Sequence, residues 1–294
     1  MRDNSKRITP NLQDDISSQL IAHQTQQSSQ EQEGSNSEKL FNFATPTEFV
    51  ELPSKGKFYQ PGHPLHNVEK VEIRFMTAKD EDILTSKSLL RQGIAIDRLI
   101  ENVVLDKRIK ARELLSGDKN ALIVGTRITG FGPEYTTKVS CPACASISKY
   151  NFDLSMLSTA PEPDYEELGV EPTEEGTFMV KLPRTGVDVE VKLLTAKDES
   201  DLSETMERRE KKGLPISAAT SQLASFIVSI NGVNSRGSIL EFINNMPSFD
   251  SRHLREVYSK LVPNISMEQE FVCPVCDAEQ EVDIPITVDF FWAG

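Results

Sequence analysis

An α+β fold built on an internal duplication is what the sequence predicts, and three recurrences predict it. Cys141-Pro142-Ala143-Cys144 returns as Cys273-Pro274-Val275-Cys276. Thr77-Ala78-Lys79-Asp80-Glu81 returns as Thr195-Ala196-Lys197-Asp198-Glu199, and the turn Leu52-Pro53-Ser54-Lys55-Gly56 as Leu182-Pro183-Arg184-Thr185-Gly186. Turn, helix start and cysteine pair keep the same order in both copies. Each repeat therefore reads as a β-hairpin, several helices and a C-x-x-C β-knuckle, repeat 1 over 45–158 and repeat 2 over 177–294. The two knuckles, apposed, would pair into one zinc ribbon.

Residues 1–44 form a polar arm. From Gln24 to Ser37 the arm has almost no apolar side chain, too little to offset the entropy of ordering, so it is expected to be disordered. Ile16, Leu20 and Ile21 form an apolar cluster within it, the size of a short docking helix. Order begins near Phe49, at an apolar run broken by the Pro53 and Gly56 turn. Tyr59-Gln60-Pro61-Gly62-His63-Pro64 has loop composition and lengthens copy one between its turn and its helix. Val71, Ile73 and Phe75 alternate as a half-buried strand does, and Thr77 caps a helix whose first turn is acidic.

Ile96, Leu99, Ile100, Val103 and Val104 recur at the spacing of one buried helix face, and Leu114, Leu115, Leu122 and Ile128 extend the helical part. Tyr150, Phe152 and Leu154 alternate after the first cysteine pair. The acidic stretch 159–176, with Pro161, Pro163 and Pro172, reads as a solvated linker. Copy two repeats the plan: Val187, Val189, Val191 and Leu193 as a strand, then helical faces. Those faces are Leu223, Phe226, Ile227 and Ile230; Ile239, Phe242, Ile243 and Met246; and Leu254, Val257, Tyr258 and Leu261. After the second cysteine pair Val282, Ile284, Ile286, Val288 and Phe290 alternate as a final strand, with Pro285 marking it as an edge.

The chemistry rests on Cys141, Cys144, Cys273 and Cys276, which are all four cysteines of the chain. Two-residue spacing brings both thiolates of one tight turn to the same ion, so each knuckle is half of a tetrahedral four-sulfur site. One structural zinc per chain is expected, clamping the repeats together, with iron as an alternative metal. Free or oxidised cysteines are the plain alternative. A redox pair of thioredoxin type requires a helix after the motif, where this chain alternates like a strand. Ala145 and Asp277 stand where many such knuckles carry a glycine in the left-handed conformation.

No Gly-rich phosphate loop, nucleophile elbow or His-Glu-x-x-His array is present. Of the histidines, His23 lies in the arm, His63 and His66 in the loop and His253 in a helical pattern, so none is assigned a site. Asp80 with Glu81 and Asp198 with Glu199 recur, and their place in a first helical turn points to helix capping more than to acid and base catalysis. Leu182 to Gly186 has the form of a sortase signal but reads as a turn. Arg208-Arg209-Glu210-Lys211-Lys212 reads as a solvated helix end, and Phe290, Phe291 and Trp292 as an aromatic end packed on the core or offered to a partner.

A chain of 294 residues can bury its cores without disulfides. Its 32 basic against 45 acidic residues, a formal charge of -13, repel phosphate backbones and argue against general nucleic-acid binding. With no signal-peptide core and no apolar run of about twenty residues, the paired cysteines predict a soluble protein of a reducing compartment.

Five segments together resemble one family. Leu52-Pro53-Ser54-Lys55-Gly56-Lys57-Phe58-Tyr59, Met76-Thr77-Ala78-Lys79-Asp80-Glu81-Asp82-Ile83-Leu84, Gly117-Asp118-Lys119-Asn120-Ala121, the first cysteine pair and Val288-Asp289-Phe290-Phe291-Trp292 look like the baseplate hub protein family of T-even-type, contractile-tailed bacteriophages. The resemblance runs from about Phe49 to the C-terminus. It implies a non-enzymatic structural or assembly protein that binds other phage baseplate hub proteins. It offers no catalytic residue to carry over and implies a location in the host cytoplasm during assembly or in the virion tail baseplate, while the acidic charge and the lack of a long apolar run predict no nucleic acid and no membrane span. Two alternatives stay open: a zinc-ribbon nucleic-acid-binding or transcription regulator, which needs a basic face, and a cell-wall hydrolase of the hub, which needs two carboxylates across a cleft.

Overall fold

The first strands obey the alternation that predicts them. β1 (Thr47–Glu51) and β2 (Lys70–Arg74) pair antiparallel, and Val71 and Ile73 are the buried positions of β2. This computed structural model describes residues 45–213, 217–284 and 288–291, and every element below lies in one compact unit, Thr47–Gly294. The expectations for the arm 1–44, including Ile16, Leu20, Ile21 and His23, and those for Pro285, Ile286 and Trp292, lie outside the described residues.

Between β1 and β2 the chain makes a series of turns that bury Leu52, Tyr59 and Leu65. This segment is therefore packed, where the sequence reads as an open loop. Gly56 has φ 71, and a Cβ there would lie 2.3 Å from Val68 N and 2.4 Å from Leu65 O, so only glycine fits the crossing.

Four helices follow: α1 (Ala78–Thr85), α2 (Lys87–Arg91), α3 (Ala95–Val103) and α4 (Ser116–Phe131). α3 buries Leu99, Ile100 and Val103, the predicted stripe. α4 runs through the middle of the unit, close to its neighbours at glycines. A Cβ on Gly117 would sit 1.8 Å from Pro263 O, and one on Gly125 would sit 2.5 Å from a methyl of Val50.

β3 (Glu134–Ser140) and β4 (Ile147–Asp153) form the first cysteine hairpin. After β5 (Ser158–Thr159) comes a four-stranded sheet in the order β6 (Val170–Pro172), β7 (Thr177–Lys181), β8 (Asp188–Lys192), β9 (Ile227–Ile230). Two expectations change here. Segment 159–176 is not wholly a solvated linker, because Val170 is buried and pairs with Val180. Ile227 to Ile230 is a strand, not the end of a helix. Its β-branched run Ile227-Val228-Ser229-Ile230 finds the open edge of β8, with Val189 opposite Ile230, and over so short a window the helical and extended patterns coincide.

The remaining helices are α5 (Ala196–Lys211), α6 (Ala218–Phe226), α7 (Arg236–Asn245) and α8 (Ser248–Leu261). β10 (Ile265–Ser266) pairs with β5, and β11 (Glu268–Val272) with β12 (Glu279–Asp283) forms the second cysteine hairpin. The final strand ends at Asp283, earlier than its alternation suggests. Val288–Phe291 is instead a short 3-10 turn, held where Arg127 Nε donates to Phe290 O at 2.8 Å. Phe290 and Phe291 are buried, and Phe290 packs edge-on against Tyr135 at 5.0 Å. Buried apolar residues from Leu52 to Phe291 form one continuous core cluster, so the segments on either side of 159–176 share an interior.

Candidate metal centre

Each cysteine pair sits in a tight turn at the end of a hairpin, and the two turns have the same backbone. In the first, Ala145 N donates to Cys141 O at 2.8 Å and Cys141 N to Ser146 O at 2.8 Å; in the second, Asp277 N donates to Cys273 O at 3.0 Å and Cys273 N to Ala278 O at 3.0 Å. Ala145 at φ 55 and Asp277 at φ 52 occupy the left-handed region. The departure from glycine is thus accommodated without changing the turn, at about 1 kcal/mol or more for the alanine.

The turns meet sulfur to sulfur. Cys141 Sγ lies 3.8 Å from Cys276 Sγ, and Cys144 Sγ lies 3.8 Å from Cys273 Sγ. All four ligand atoms lie within 4.8 Å of one another. All four thiols are free, and these separations are far beyond the disulfide bond length of about 2.05 Å. A tetrahedral site with metal–sulfur bonds of about 2.3 Å has edges of about 3.8 Å, so the arrangement fits one ion of that kind. Cys141 and Cys273 are buried while Cys144 and Cys276 face outward, giving each knuckle one inner and one outer ligand.

Hydrogen bonds already favour charge at part of this cluster. Ser146 Oγ stands 3.0 Å from Cys144 Sγ and 3.5 Å from Cys273 Sγ, and Val275 N donates to Cys273 Sγ at 3.5 Å. The Ser146 hydroxyl, followed by the Val275 amide, brings the Cys273 thiol down to about 6, and Ser146 also lowers Cys144. The Ala278 amide favours the Cys276 thiolate, yet contacts with the thiols of Cys144, Cys273 and Cys141 hold its proton and push it up to about 12. Only a cation would let all four bind as thiolates. Four sulfurs around one ion would leave no open position for a substrate.

Among the described residues no other group of three or more His, Cys, Asp or Glu side chains gathers its ligand atoms this way. His63 stacks on the Tyr59 ring at 4.5 Å and accepts from Leu65 N at 3.1 Å; His66 contacts the Tyr59 carbonyl. Both therefore serve the packed turns between β1 and β2.

The recurring acids are local anchors. Asp80 receives two hydrogen bonds from Arg74, at 2.6 and 2.9 Å, and accepts from Thr77 N at 2.8 Å. Asp198 does the same for Thr195 N and pairs with Lys192 at 2.9 Å. Glu81 and Glu199 stay exposed.

Sequence reasoning passed over the two acids that matter most inside. Asp118, in the first turn of α4, accepts from Ser54 N at 2.9 Å, Ser54 Oγ at 2.6 Å and Tyr59 OH at 2.8 Å. Asp250, in the first turn of α8, accepts from Arg184 N at 2.8 Å, Thr185 N at 3.0 Å and Thr185 Oγ1 at 2.9 Å. The Leu52–Gly56 and Leu182–Gly186 turns are thus each tied to a helix by one buried carboxylate. Their signal was present: Asp118 and Asp250 keep the spacing of Cys141 and Cys273.

A family model described as T4 bacteriophage base plate protein matches residues 45–292. No curated protein and no solved structure matches the chain.

Proposed function

The chain belongs to the T4 bacteriophage base plate protein family, and from that membership we propose that it is a non-enzymatic structural component of the base plate hub, binding other hub proteins. Its work is geometric. It holds partners in register through a rigid unit, and it is assembled in the host cytoplasm before taking its place in the tail. No helix among the described residues is long and apolar enough to cross a membrane.

The observation that supports a shared metal is the meeting of the two cysteine turns, with four sulfurs within 4.8 Å of one another. One zinc ion held by Cys141, Cys144, Cys273 and Cys276 clasps the cysteine hairpins of two repeats, 45–158 and 177–294, that already share a core. The matched hairpins, the capping pairs Thr77 with Asp80 and Thr195 with Asp198, and the tethers from Asp118 and Asp250 all support the duplication. Each repeat supplies half of the site.

Co-expression with the other products of a tail-assembly operon tests the hub role. A complex of defined mass is expected, and recovery of the free chain alone would count against the assignment. Metal analysis of freshly purified protein tests the clasp, with one zinc per chain expected; none, or two, would overturn it.

A further inference from the structure

Among the described residues the β1–β2 sheet has one open edge, and its hydrogen-bond parity dictates what fits there. Leu52 N donates to Glu69 O at 2.8 Å, and the register continues as Val50 opposite Val71 and Glu48 opposite Ile73. Glu48 and Val50 thus turn their backbone groups toward β2. On the far side of β2 the same parity holds, since Glu72 O accepts from Leu105 N at 3.1 Å. The backbone groups of Thr47, Phe49 and Glu51 point outward, and none of them has a hydrogen-bond partner among the described residues. Phe49 is 62% exposed, the most exposed aromatic ring described. Phe131 and Phe249 are also exposed, but each lies beside an arginine, and Phe49 has no such neighbour among the described residues.

We propose that this edge is a two-fold interface between copies of the chain, in which β1 pairs antiparallel with β1 of a second copy, centred on Phe49. Centred there, Phe49 faces the partner's Phe49 and Thr47 faces the partner's Glu51. All outward backbone groups of both strands then meet, each facing pair exchanging two N–H···O bonds. The two hairpins become one four-stranded sheet with an aromatic pair across its middle. Charge agrees with this register. Glu48 stands opposite the partner's Val50, and Glu51 already pairs with Lys70 of its own chain at 2.7 Å. Sliding by two residues one way sets Glu48 against the partner's Glu48, and the other way sets Phe49 against the partner's Glu51. A second copy is the occupant because the strand complements itself in backbone parity and in its central aromatic ring, and in this register no glutamate stands opposite another. So short an edge gives a small interface and a dissociation constant on the order of 10⁻⁴ M.

Sedimentation equilibrium of the full chain, from micromolar to near-millimolar concentration, tests this. The protein is expected to shift from monomer to dimer, and hydrogen exchange at the Phe49 amide to slow as it does. Phe49→Lys removes the aromatic pair, and Phe49→Pro removes an outward donor while sparing the bonds to β2. Each should weaken association about tenfold or more with an unchanged circular dichroism spectrum, whereas Leu90→Lys, at another exposed apolar position, should leave it intact. A monomer throughout the range would overturn the proposal, as would a dimer that survives both Phe49 variants. Protection of the Thr47, Phe49 and Glu51 amides at every concentration would also overturn it, because another segment of the same chain would then cover the edge.

Discussion

Asp118 grips Ser54 twice, through the backbone amide at 2.9 Å and through the hydroxyl at 2.6 Å. A helix start and a turn distant in sequence are thereby locked by one carboxylate, which also takes the Tyr59 hydroxyl. Removing it strands buried donors. Asp118→Ala is expected to destabilise the protein by about 3 kcal/mol, from the loss of several bonds to one buried acceptor. Ser54→Ala removes one donor and should remove about 1 kcal/mol. Urea unfolding of the two variants and of the double variant measures the coupling between them.

Acid should weaken the fold through Asp80. Burial opposes its ionisation, but the Arg74 guanidinium and the Thr77 amide and hydroxyl, with Asn102, outweigh burial and hold the carboxyl at about 2. The usual carboxylate value is about 4. A depressed folded-state value contributes stability that is fully present above the unfolded value and is lost as pH falls from about 4 through 2. Thermal melting across that window should show the loss, and Asp80→Asn should flatten this part of the profile while lowering stability at neutral pH by about 2 kcal/mol.

Chelation should loosen the unit without abolishing a reaction. Structural zinc contributes on the order of 10–16 kcal/mol in small zinc peptides. Its removal, or Cys141→Ser or Cys273→Ser, is expected to lower the melting temperature and raise hydrogen exchange in both cysteine hairpins together. Exchange rising in one hairpin alone would contradict a shared ion. Ser146→Ala should leave one metal per chain but speed its transfer to a chelator, since the hydroxyl spans Cys144 and Cys273.

A single methyl should disrupt the centre. At Gly117 a Cβ would lie 1.8 Å from Pro263 O, a backbone atom. Gly117→Ala is expected to destabilise by about 2–3 kcal/mol through overpacking, even though alanine favours helix. Gly62→Ala, where nothing lies near the added carbon, serves as the contrasting variant, although its φ of 96 makes it mildly unfavourable.

The cysteine turns, the capping threonines and the α3 stripe were legible because each is set by neighbours in sequence. A two-residue cysteine spacing, a threonine before an acidic turn and a helical period need no knowledge of the rest of the chain. What stayed hidden depends on distant partners. Ile227 to Ile230 becomes a strand only because β8 offers an edge. Val170 is buried only because Val180 lies opposite it, and a proline-rich acidic stretch carries no local sign of that. Asp118 and Asp250 look like ordinary first-turn acids until the turns they hold arrive from far away.

The two cysteine hairpins lie far apart along the chain, and this bears on how the protein is made. While synthesis is under way, the first hairpin can offer an ion only Cys141 and Cys144, a weak two-coordinate perch. Four-coordinate binding would require Cys273 and Cys276 to have emerged and their hairpin to have folded against the first. A four-sulfur site of this kind would therefore close only after Cys276 is made, and a chain terminated before Cys273 would carry the early half of the cluster with nothing to close it.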